Sequence, residues 1–80
     1  MEAIPRIVSV EPTGLAELVV RFQNGVHKTY DCRPLLTRPQ FRPLADPSFF
    51  RTVSVDPGGY GISWSDKVDL NEYELWVRGR

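Results

Sequence analysis

Hydrophobic and polar residues alternate along five segments of the chain, at residues 6–11, 15–22, 26–31, 52–55 and 60–64. Because successive side chains of a strand point to opposite faces, this period of two predicts β-strands. In the first segment, Val8 and Val10 are expected on one face. Residues 11–14 carry a proline and a glycine placed for a type I turn into the second strand.

The second and third strands are separated by an asparagine–glycine pair, which favours a tight hairpin. Two registers are open. One has a two-residue turn, whereas the other has a three-residue loop that pairs Phe22 with Val26 and leaves Gly25 at positive φ. The three-residue loop would also set Leu18 opposite Tyr30. We expect the three-residue loop, because its register keeps one face of the hairpin mostly apolar.

Residues 32–47 contain four prolines, which exclude both a long helix and a central strand. Short helical turns can still begin at proline, and two are predicted at residues 39–41 and 47–49, the second capped by Asp46. Four large apolar side chains indicate a structured crossover rather than a flexible linker: Leu35, Leu36, Phe41 and Leu44.

The fourth and fifth strands flank a proline–glycine–glycine turn, which predicts a second hairpin. Its candidate buried side chains are Val53, Val55, Ile62 and Trp64. Gly61 lies inside the fifth strand, where glycine indicates a bulge or a close backbone neighbour.

A short helix is predicted at residues 70–77. Asp69 precedes it at the N-cap position, and Glu72 three residues later completes an acidic variant of the capping box. Val68 and Tyr73 are spaced as a hydrophobic staple. The predicted fold is therefore α+β: a small antiparallel sheet of about five strands with two hairpins, a proline-rich crossover and a short C-terminal helix, in one domain over residues 1–80.

Composition indicates which partners and which cellular location to expect. Ten basic and ten acidic residues give a formal charge of zero, whereas a dedicated nucleic-acid binder usually carries a positive excess. The longest apolar runs of three or four residues are too short to span a membrane. Residues 1–5 lack the basic start and apolar run of a secretory signal. Cys32, the only cysteine, is expected as a half-buried small hydrophobe in a protein of the reducing cytoplasm.

For each candidate catalytic residue, a structural role explains its position more simply than a catalytic role does. His27, the only histidine, is expected to be a solvated strand residue, because no orienting partner or carboxylate stands at ligand spacing. Asp66 and Asp69 form the closest carboxylate pair near an aromatic wall, but we assign them to a turn and a helix cap. The glycines after Pro57 join two strands and lack the P-loop lysine. We therefore expect no enzyme activity, no cofactor and no metal site.

The last helix also carries the candidate partner surface. Trp76 is expected either to cap the core or to face a partner, and an aromatic side chain beside arginines is enriched at protein interfaces. The candidate surface consists of Trp76, Val77 and Arg78, and the expected partner is another protein or a second copy of the chain.

The whole pattern resembles a bacterial family known as domain of unknown function 2442. The matching features follow in order along nearly the whole chain: Leu18-Val19-Val20-Arg21-Phe22, Asn24-Gly25, Tyr30-Asp31, Leu35-Leu36, Phe41 and Leu44, Asp46 with Phe49 or Phe50, Val53-Ser54-Val55, Ile62-Ser63-Trp64 and Asp69-Leu70. Relatives usually place a glycine between Trp64 and Asp69, where this chain has Asp66-Lys67. The resemblance implies a small prokaryotic α+β fold and supplies no activity or site residues.

Two functions remain open at this point. The first is a non-enzymatic protein-interaction or accessory module. The second is a sensor or regulatory domain that works with a DNA-binding partner, since the resemblance implies relatives that carry a helix-turn-helix module. An exposed apolar patch around Trp76 would favour the first, and an enclosed pocket between sheet and helix the second.

Overall fold

Two three-stranded antiparallel sheets form the framework, in place of the single sheet of about five strands. The computed structural model describes residues 4–80. Residues 1–3, which belong to the segment expected to lack a secretory signal, lie outside this range. The first sheet has the order β1-β2-β3 and the second β4-β5-β6. The strands are β1 (Ile7–Thr13), β2 (Glu17–Phe22), β3 (His27–Asp31), β4 (Ser54–Val55), β5 (Gly61–Ser65) and β6 (Val68–Asn71).

The β2–β3 hairpin has the predicted three-residue loop. The amide of Phe22 donates to the carbonyl of Val26 at 2.9 Å, and the amide of Gly25 donates to the carbonyl of Phe22 at 2.9 Å. Gly25 has a φ of 89°, which glycine adopts without steric cost. Leu18 lies opposite Tyr30, and both are buried. The predicted register is confirmed.

The first strand differs from its prediction in length. β1 continues through Pro12 to Thr13, so the predicted type I turn at residues 11–14 is wrong. The connection to β2 lies later and includes Gly14 at a φ of 57°. Pro12 is tolerated because β1 is an outer strand of its sheet, where a missing N–H breaks no ladder.

A bulge also changes the faces of β1. The pairing with β2 shifts between Ile7 and Ser9, which inserts an extra residue and reverses the alternation. Ile7 is buried and Val10 half-buried, whereas Val8 is 54% exposed. The expectation that Val8 and Val10 share one face is therefore wrong.

The proline-rich crossover is structured as predicted. It forms two 3-10 helices, Arg33–Thr37 and Pro39–Ala45, and a single α-helical turn, α1 (Pro47–Phe50). The carboxylate of Asp46 accepts a hydrogen bond from the amide of Ser48 at 2.9 Å, which confirms the predicted cap. Three of the four apolar side chains named above are buried and Leu36 is half-buried.

The second sheet is built around Gly61. A Cβ at this position would lie 2.7 Å from the carbonyl oxygen of Leu70, so the predicted close backbone neighbour is confirmed, whereas the bulge of β5 lies between Ser63 and Ser65. Ile62 and Trp64 are buried as expected. The valines of the fourth predicted strand, at residues 53 and 55, are half-buried.

The last helix begins two residues later than predicted, because the residues before it form a strand. Val68 and Leu70 are buried and Asp69 is exposed, which is the alternation of a strand with one buried face. This segment is β6, which pairs with β5. Helix α2 (Glu72–Arg78) has Asn71 as its N-cap, whose side-chain oxygen accepts from the amide of Glu74 at 2.8 Å. Asp69 is therefore not a helix cap. The capping box with Glu72 and the staple of Val68 and Tyr73 are also wrong.

One hydrophobic core joins both sheets, the crossover and α2. Cys32 lies inside it and is fully buried rather than half-buried. Burial, followed by the nearby charge of Asp31, raises the pKa of the Cys32 thiol to about 12. Because the thiolate is the reactive form, this thiol is inert in the folded protein.

Candidate functional site

Trp76 attaches helix α2 to the first sheet. Its ring meets the ring of Phe22 edge to face, with centroids 5.0 Å apart. The ammonium group of Lys28 lies 4.2 Å from the centroid of the indole and donates to the carbonyl of Trp76 at 2.6 Å. Trp76 is half-buried and packs against the core, which favours the core-capping alternative over a partner-facing anchor.

A polar contact fixes the other side of the helix. The hydroxyl of Tyr30 donates to the carboxylate of Glu74 at 2.7 Å, and Arg78 lies 3.4 Å from the same carboxylate. Burial, followed by the hydrogen bond to Glu74, raises the pKa of Tyr30 well above its usual range. With Leu75 fully buried between these contacts, α2 is held rigidly on the sheet.

The opposite side of the helix is exposed. Tyr73 is 59% and Val77 54% exposed, and residues four apart on a helix share a face. Arg78 contacts Glu74 on the neighbouring face, is also exposed, and borders Val77 in sequence. We call Tyr73, Val77 and Arg78 the α2 surface. Of the predicted partner surface, the structure keeps Val77 and Arg78 at the exterior and turns Trp76 inward.

A cleft of about 730 Å³ lies beside the α2 surface. Its walls are α2, the end of β3, the first 3-10 helix and strand β6. Six charged residues line it, three of each sign: Arg38, Arg78, Arg80, Asp31, Asp69 and Glu74.

The carboxylates of this cleft are more fully engaged than its arginines. Asp31 accepts three side-chain hydrogen bonds from Arg33, at 2.9 to 3.1 Å, and these bonds hold the pKa of Asp31 below its usual range. Glu74 is engaged by Tyr30 and Arg78 as described. Within residues 4–80, the side chains of Arg38, Arg80 and Asp69 form no ion pair or hydrogen bond, so two cations and one anion of the cleft are unpaired. The cleft therefore offers a cationic group to an incoming anion.

Two other residues considered from the sequence, His27 and Asp66, do not line this cleft. His27 is exposed on β3 opposite Arg21, a solvated strand residue as expected. Asp66 is exposed in the turn before β6 and does not line the cleft, whereas Asp69 lies on β6 and does. Among the residues that the structure describes, no three of the His, Cys, Asp and Glu side chains gather as metal ligands. In the same part of the chain, the helices are all too short or too polar to cross a bilayer.

Three residues of this region were not singled out for a site from the sequence. The sequence patterns place Tyr73 in a hydrophobic staple and Asn71 inside the predicted helix, and Arg38 lies in the crossover. For Tyr73 and Asn71, the alternation of apolar and polar residues over 68–71 is the signal in the sequence, because it predicts a strand over these residues and a helix that begins after them. No sequence pattern marks Arg38.

A protein-family model described as "Protein of unknown function (DUF2442)" matches residues 7–80. Neither the curated proteins nor the solved structures contain a match to the chain.

Proposed function

We propose that this chain, which belongs to the DUF2442 family of proteins of unknown function, is a non-catalytic protein-interaction or accessory module that binds another protein through the α2 surface. The observation that carries the proposal is the exposure of Tyr73 and Val77 side by side on one helix face. A partner that covered them would remove apolar area from water, which is the main driving force of protein association. A reducing cytoplasm is the proposed location, supported by the single buried thiol.

The α2 surface has two properties that suit an interface. Tyrosine and arginine are enriched where proteins bind one another, because each combines a large contact area with a polar group. The helix is also preorganised: Trp76, Leu75 and the Tyr30–Glu74 hydrogen bond fix its position. Binding would therefore cost little conformational entropy in the helix itself.

The test compares the same substitutions at two sites of similar exposure. Val77 and Val8 are both 54% exposed, and Tyr73 and Tyr60 are 59% and 53% exposed. We expect Val77→Ser and Tyr73→Ser to reduce recovery of the same crosslinked protein from source-cell lysate by roughly tenfold, since buried interface anchors contribute more than about 1 kcal/mol. Val8→Ser and Tyr60→Ser should leave recovery unchanged. Equal recovery with all four variants would refute the α2 surface as the interface.

A sensor or regulatory domain acting with a DNA-binding partner is the second candidate. The cleft supports it, because a volume of about 730 Å³ lies in the range of small-molecule sites. Tight, sequence-specific DNA binding by the isolated chain at physiological salt would favour this candidate over the first.

A further inference from the structure

One wall of the cleft is an open strand edge. Strand β6 is the outer strand of the second sheet. The amide of Glu72, just after it, donates to the carbonyl of Tyr60 at 2.9 Å, and backbone groups alternate in direction along an antiparallel strand. Asp69 therefore directs its N–H and C=O away from β5, and Asn71 directs its N–H the same way, whereas the C=O of Asn71 begins the hydrogen bonds of α2. These two residues line the cleft.

A second strand edge at the cleft, that of β3, accepts one main-chain hydrogen bond from the segment after α2. The amide of Arg80 donates to the outward carbonyl of Thr29 on β3 at 2.8 Å. Asp31, two residues further along β3, has the same backbone direction and lines the cleft. The cleft thus lies between the outer edges of the two sheets.

The charges of the cleft select among extended segments. Asp31 is neutralised by Arg33, and Glu74 is engaged by Tyr30 and Arg78. Within residues 4–80, the guanidinium groups of Arg38 and Arg80 have no anionic partner, and Asp69 is the one carboxylate of the cleft without a partner. The unpaired side chains of the cleft thus comprise two cations and one anion, so an entering carboxylate is attracted on balance, most strongly at Arg38, away from Asp69 in the sequence.

We propose that the cleft binds an extended segment of a partner protein, which adds to the edge of β6 and carries carboxylate side chains toward Arg38. This inference rests on the proposed function and names the kind of segment that the partner supplies. Main-chain hydrogen bonds to the N–H and C=O of Asp69 and to the N–H of Asn71 provide affinity in this binding mode, and side-chain contacts provide specificity.

The test is a titration of the ¹⁵N-labelled protein with a peptide of about six residues, the usual strand length, in which valine and glutamate alternate and both ends are blocked. We expect saturable downfield shifts of the Asp69 and Asn71 amides. Arg38→Ala should weaken binding by about 1.4- to 5-fold, the range of an exposed charge pair. Arg42→Ala removes an exposed arginine outside the cleft and should change nothing. Replacing glutamate by lysine in the peptide should abolish the shifts.

Other outcomes overturn the inference in distinguishable ways. Shifts confined to Tyr73 and Val77 refute strand addition and leave the α2 surface as the interface. Shifts of Asp69 and Asn71 that grow with protein concentration in the absence of peptide mean that a second copy occupies the edge. Absence of saturable shifts up to millimolar peptide refutes the cleft as a site for such segments, whatever the serine substitutions show.

Discussion

Replacing Asn71 by alanine tests the start of helix α2. The substitution removes the side-chain oxygen that accepts from the amide of Glu74 at 2.8 Å, so that amide is left to water. Loss of an asparagine cap costs about 0.5–2 kcal/mol, and Asn71 is exposed, so we expect about 1 kcal/mol. In a domain of 80 residues, this lowers the melting midpoint by roughly 4–8 °C.

The matched control is Asp69→Ala, two residues earlier. Asp69 is exposed on β6 and its carboxylate accepts no hydrogen bond within residues 4–80, so the change should stay within about 0.5 kcal/mol. Urea unfolding followed by tryptophan fluorescence measures both variants, with an unchanged m-value as the condition for comparing them. Asn71→Asp should keep most of the stability. If Asp69→Ala destabilises the protein as much as Asn71→Ala, the assigned helix start is wrong.

Three further predictions concern the core and the helix contacts. Because the pKa of Tyr30 is raised in the folded state, this phenol ionises in the unfolded state first, above about pH 10, and the free energy of unfolding falls as the pH rises further. Tyr30→Phe should lose less stability over this range. Equal dependence of the free energy of unfolding on pH between pH 9 and 11 for the two proteins would contradict this. The buried thiol of Cys32 should react with a disulfide reagent roughly a thousandfold or more slowly in the native protein than in urea, as marginal stability implies; comparable rates would mean the thiol is accessible. Trp76→Ala should destabilise the fold by about 2–3 kcal/mol, because the indole packs on Phe22. This is below the cost for fully buried aromatic side chains, since Trp76 is half-buried. An unchanged midpoint of urea unfolding would show that this packing does not stabilise the fold.

Local signals predicted much of the fold. The asparagine–glycine turn and the apolar face together determined the β2–β3 register, because both act within a few residues. Asp46 and the proline after it gave the start of α1 for the same reason. In each case neighbouring residues supply the hydrogen bonds and the steric limits.

The errors occurred where local signals compete with tertiary contacts. Asp69 and Glu72 satisfy a capping pattern, yet pairing of Leu70 with Ile62 draws the segment into β6. The bulge in β1 depends on where Ile7 meets Phe22, which the spacing of Val8 and Val10 does not reveal. The predicted partner surface included Trp76, whose indole instead packs on Phe22 and Lys28. Both residues are distant in sequence, so no local pattern reveals these contacts.

The attachment of α2 to the first sheet also has a kinetic consequence. The Lys28–Trp76 and Tyr30–Glu74 hydrogen bonds join residues 48 and 44 positions apart. Contacts of such wide separation close large loops and slow folding, so we expect this chain to fold more slowly than a helical protein of equal size. Until α2 docks, the edge of Phe22 that it covers is open to solvent. A folding intermediate that lacks α2 would therefore be the species most prone to aggregation.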